Sequence, residues 1–114
     1  MNTKTGTAGA IARIWRGYPS MQNADALERL FVDQAIPSIG SNKPHGLKGI
    51  QLLRLEKENE VEFTTIMYFD TIESVKEFAG NDYQQSHIDP AVGPLLSRYD
   101  QRVQHHVVRE AKMW

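Results

Sequence analysis

The chain contains no cysteine. That removes disulfides, thiolate metal sites and thiol nucleophiles together, and it fits a reducing, cytoplasmic setting. An excess of one charge is also missing. Thirteen basic residues stand against 14 acidic ones, for a formal net charge of -1, so no broad field draws the chain toward nucleic acid or an anionic membrane surface. No apolar run approaches the roughly 20 residues that cross a bilayer. The polar start, Met1 to Gly9, lacks the apolar stretch of a signal peptide and reads as a flexible tail. Several catalytic signatures are absent as well: there is no G-x-G-x-x-G, no phosphate-binding loop and no G-x-S-x-G elbow. The four histidines show no H-E-x-x-H spacing, so no metal site is expected.

What remains is ordinary globular material. At 114 residues, with 40% hydrophobic and 24% charged residues, the chain suits one domain over residues 10–114, with enough length for a single core. Ala10 to Arg16 alternates as a strand that Gly17-Tyr18-Pro19 ends. Ala24, Leu27, Phe31 and Ala35 recur at helical spacing, and Asn23 suits the N-cap. This helix is expected to stop or bend at Pro37. Ser38 to Gly49 reads as a loop. Ile50 to Lys57 and Val61 to Phe69 then form a hairpin across Glu58-Asn59-Glu60.

Asp70-Thr71-Ile72-Glu73 has the form of a capping box. The helix it opens buries Val75, Phe78 and Ala79 and stops at Gly80. A long connection, Asn81 to Ser97, leads to a last strand from Tyr99 to Val108. The resulting order predicts an α+β fold of the ferredoxin-like βαββαβ type, a four-stranded antiparallel sheet with both helices on one face. Ile50 and Leu52 against Leu53 and Leu55, and Phe63 and Met67 against Ile66 and Tyr68, make both phases of the central strands apolar. A sheet face open to water should be polar, so a second copy is expected to cover the other face in a two-fold homodimer.

Individual side chains suggest chemistry. Arg13 and Trp15 share one strand face, where a guanidinium can hold an anionic oxygen and an indole can stack on a planar ring. His87, in a polar connection, can exchange a proton near neutral pH. Tyr68 and Tyr83 can donate hydrogen bonds to a phenolic ligand. His105 and His106 are adjacent, so on a strand they point to opposite faces, one to the helices and one to the subunit interface. Glu56, Glu58, Glu60 and Glu62 cluster at the hairpin, where a solvated edge accounts for them.

Ile11-Ala12-Arg13-Ile14-Trp15, the Tyr68-Phe69-Asp70-Thr71-Ile72-Glu73-Ser74-Val75-Lys76-Glu77-Phe78-Ala79-Gly80 junction, His87 and Val103-Gln104-His105-His106-Val107 together resemble the antibiotic biosynthesis monooxygenase-like family of dimeric α+β barrels. The likeness spans Ala10 to Val108. It implies a homodimer that oxidises a small aromatic, polyketide- or quinol-like molecule without a cofactor. His87 and Arg13 would be catalytic, and Trp15, Tyr68, Tyr83 and His106 would bind substrate. The same scaffold also serves non-catalytic binding of small molecules. A third reading is haem degradation, for which members use an Asn on the first strand, a Trp on the second helix and a following His. Here Arg13 and Trp15 occupy that strand and Phe78 stands in the Trp position, leaving His87 as the only counterpart.

Overall fold

A computed structural model describes residues 9–114; apart from Gly9, the expected tail lies outside the described residues. Strand β1 (Ile11–Pro19) leads into a continuous helical run made of α1 (Ala24–Leu30), a π-helical turn (Phe31–Ala35) and α2 (Ile36–Asn42). The hairpin β2 (Leu47–Glu56) and β3 (Val61–Phe69) follows, then α3 (Ile72–Ala79), a short 3-10 turn (Gly93–Leu95), β4 (Leu96–Tyr99) and β5 (Gln104–Val107). The five strands form one antiparallel sheet in the order β2-β3-β1-β4, with β5 also paired to β1. The fold is α+β. Among the described residues no helix is long and apolar enough to cross a membrane.

Strand alternation decides what faces what. Ile11 pairs with Phe69 and Arg13 with Met67. These residues share a face with Trp15, Phe63 and Thr65, and the helical run and α3 pack on that face. Two apolar clusters hold the layers together. Ala24, Leu27 and Phe31 meet Val61, Phe63 and Val92 in one, and Val75 of α3 meets Ile11, Met67 and Phe69 in the other. Leu27, Phe63, Phe69 and Val75 are wholly buried, each contributing on the order of 2 kcal/mol relative to exposure. The opposite face carries Ala12, Ile14, Ile66, Tyr68, Leu53 and Leu55.

Expectations are corrected in three elements. The first helix does not stop near Ala35 but runs on to Asn42. Proline lacks the N–H of a helix interior, and the chain meets this with a widened turn, in which the Ile36 N–H reaches back to the Phe31 carbonyl. Pro37 then falls in the first turn of α2, where no donor is required. Secondly, the N-cap of α3 is Thr71, one residue later than the capping box at Asp70 implies. Its Oγ1 accepts from the Ser74 N–H at 3.1 Å, while Asp70 Oδ1 accepts from the Ser74 hydroxyl at 2.6 Å. Phe78, expected in the buried face of that helix, is 39% exposed and packs tilted against Phe69.

Thirdly, the expected last strand is broken in two. Gly17 lies opposite Tyr99 and Ile14 opposite Gln104, so the last strand carries extra residues between these pairs. They bulge from the ladder and bond instead to the connection after α3. Ser86 N–H donates to the Gln101 carbonyl and Val103 N–H to the Gln84 carbonyl, both at 2.9 Å. The bulge thereby moors the segment that carries Ser86 and His87 beside the sheet.

Candidate functional site

Between the sheet and the helical layer lies a cavity of about 290 Å³, at the small end of the usual range for ligand pockets. Arg13, Trp15, Ile50, Thr65 and Met67 of the sheet form its floor. Phe31 and Ala35 of the π-helical turn, with Ile36 and Ile39 of α2, form its roof. One side is closed by Phe78, and another by the segment Ser86 to Asp89 together with Val92 and Val103. Wide helical turns of this kind recur at functional sites, and this one borders the cavity directly.

Arg13 is the charged group of the floor. Its Nη1 donates to the Tyr83 carbonyl at 2.7 Å and meets His105 Nε2 at 2.9 Å. A guanidinium nitrogen only donates, so His105 accepts there and its ring proton belongs on Nδ1. The same arrangement explains its titration. Burial first, then the positive charge of Arg13 and the neighbouring His106, push His105 down to about 4, so the ring is neutral at physiological pH. Burial also lowers the pKa of Arg13. Among the described residues, Arg13 forms no ion pair with any carboxylate.

Two further polar groups of cavity-lining residues stand out. Trp15 Nε1 and Ser86 Oγ are buried without a hydrogen-bond partner among the described residues. The Trp15 indole meets Phe31 edge-on, with ring centres 6.3 Å apart. At the edge of the cavity, His87 Nε2 lies 3.1 Å from Asp82 Oδ2, and the His87 side chain is 54% exposed. Asp89 Oδ1 is occupied by the Ala91 N–H at 2.7 Å and so shapes the following turn.

The sequence candidates therefore divide. Arg13, Trp15 and His87 line one cavity. Tyr83 stands just behind it: its carbonyl holds Arg13, its ring lies edge-on to His105 at 5.2 Å, and Lys76 Nζ sits 5.5 Å from its centre. Tyr68 and His106 lie on the opposite sheet face. Tyr68 donates to Gln51 Oε1 at 2.8 Å, and His106 sits opposite Ala12, so neither reaches this cavity. Of the adjacent histidines, His105 is the one on the helical side, as its pairing with Arg13 requires. Ser86 and the residues of the π-helical turn carry no motif that marks them in advance. Among the described residues, no three His, Asp or Glu side chains converge as a metal site would need. Comparison with protein-family models, with curated proteins and with solved structures yields no match to this chain.

Proposed function

We propose that the chain is a ferredoxin-like dimeric α+β barrel that oxidises a small aromatic, quinol-like molecule with dioxygen and without a cofactor. The observation that carries this reading is the cavity itself: mostly apolar walls into which a few polar groups converge, with a His–Asp pair at the edge. Asp82 orients the His87 imidazole, which takes a proton from an activated CH or OH of the ligand. Arg13 offsets the negative charge that remains, and the Trp15 indole walls the ring. The resulting electron-rich anion reduces dioxygen. For an activated ring methylene the reaction balances as one methylene and one dioxygen giving one ring carbonyl and one water. Both C–H bonds break, one oxygen atom becomes the carbonyl oxygen, and the other leaves as water with the two hydrogens. Tyr68 and His106 have no part in this chemistry; with Ile14, Ile66, Leu53 and Leu55 they belong to the face that a second copy covers.

The test is oxygen uptake with anthrone-type and naphthoquinol substrates. His87→Ala should cut turnover by roughly a hundredfold or more, and unchanged turnover would remove His87 from the reaction. The exposure of His87 favours a second reading, in which the cavity binds its ligand and performs no chemistry on it. That reading predicts saturable binding with no oxygen consumed.

A further inference from the structure

Arg13 has lost part of its hydration and gained no acidic partner among the described residues. Its two protein contacts converge on a single nitrogen, Nη1, and both are to neutral acceptors, the Tyr83 carbonyl oxygen and His105 Nε2. Nε and Nη2 make no hydrogen bond among the described residues, and the residue lines the cavity. A partly desolvated cation without a counter-charge is costly, and the cost is recovered when an anion arrives. The other unpaired groups do not oppose this. An indole N–H can only donate and a serine hydroxyl can donate, so the buried, unpartnered Trp15 and Ser86 groups of the lining residues set no negative charge beside Arg13. Neutral His105 strengthens the case: it orients the guanidinium through an accepted hydrogen bond and leaves the positive charge uncancelled.

From these residues we infer that the cavity selects a planar aromatic carboxylate, whose two oxygens meet the free edge of the Arg13 guanidinium while its ring lies among Phe31, Ile50 and Met67. The fork of donors on a guanidinium matches the two oxygens of a carboxylate. This inference rests on the cavity being a ligand site, but not on any oxidation taking place there.

The experiment is isothermal titration of the full chain with 2-naphthoate and with its uncharged counterpart 2-naphthamide, near neutral pH. The wild type should bind the acid roughly tenfold or more tightly than the amide. Raising the salt concentration should narrow that gap by weakening the acid alone. Arg13→Gln should weaken the acid far more than the amide and so close most of the gap between them, and Arg13→Lys, which keeps the charge but not the fork, should fall between. Equal binding of the two probes by the wild type overturns the inference and leaves the cavity intact, as does a preference for the acid that survives Arg13→Gln. If neither probe binds, the ligand-site reading fails and takes this inference with it. Should Arg13→Gln fail to fold by circular dichroism, the wild-type preference and its salt dependence decide.

Discussion

Acidification should weaken this protein through one histidine. His105 is held down to about 4 from its ordinary value of 6.5, so the folded chain resists a proton that the unfolded chain accepts. Protonation would turn Nε2 from acceptor to donor, 2.9 Å from a guanidinium nitrogen that is also a donor, and would set two positive charges side by side. The charged and titratable groups nearby are Arg13 on β1, Tyr83 after α3, Lys76 beyond the Tyr83 ring, and His106 on the same strand. The sign follows from linkage. Between about pH 6.5 and pH 4 the unfolded state binds more protons, so stability falls as the pH drops through this window and levels off below it. At roughly 1.4 kcal/mol per pKa unit, the ceiling is about 3 kcal/mol. The ring is partly open to solvent, and screening reduces this to about 1–2 kcal/mol. Urea unfolding of the wild type and His105→Gln at a series of pH values isolates the effect, because carboxylates and the other histidines cancel between the two proteins. The wild type should lose that amount relative to the variant as the pH falls. A stability difference that stays constant between neutral pH and pH 4 would refute the Arg13–His105 arrangement.

Two further variants probe the floor of the cavity and the far side of the sheet. A Cβ at Gly17 would overlap the six-membered ring of the Trp15 indole. Gly17→Ala should therefore cost about 1–3 kcal/mol as the indole is displaced, seen as a lowered melting temperature with altered tryptophan emission; an unchanged melt would place Trp15 elsewhere. Leu53 and Leu55 are 48% and 52% exposed on the sheet face turned away from the helices. If a second copy covers them, Leu53→Glu with Leu55→Glu should convert a dimer to a monomer in native mass spectrometry, and a wild type that is already monomeric would defeat that proposal.

Much of the architecture was legible because it follows from local chemistry. Val61 to Phe69 was expected as a strand and is one, since its odd positions are apolar or small and its boundaries are marked by a polar turn and by Asp70. Arg13 and Trp15 were expected on one face by alternation alone, and both line the cavity. The two larger misreadings share a cause: each depends on contacts distant in sequence. Pro37 reads locally as a stop or a bend, but Phe31, packed against Phe63 and Trp15, anchors the run that carries the chain past it. The register of the last strand depends on Gln84 and Ser86 drawing residues 101–103 out of the ladder, and no pattern within that strand announces the bulge. Without the bulge the register from Tyr99 onward is undetermined, so neither the partnership of His105 with Arg13 nor the remoteness of His106 could be assigned from alternation.

The irregularities also account for why there is a cavity at all. A regular helix seated along a regular sheet would close this space. Here the π-helical turn is followed by α2, none of whose residues is buried, and on the other side the bulge holds Ser86 and His87 against the rim rather than over the floor. A sealed, empty void of 290 Å³ would cost about 7 kcal/mol at roughly 24 cal/mol per Å³, as much as the whole net stability of many small domains, about 5–15 kcal/mol. A marginally stable fold does not keep such a void dry, so the space must be open to water or filled by a ligand. The half-exposed His87 lies at its edge, and the Arg13 guanidinium, which lines the cavity and has no carboxylate partner among the described residues, makes an oxygen-bearing occupant more favourable than an apolar one.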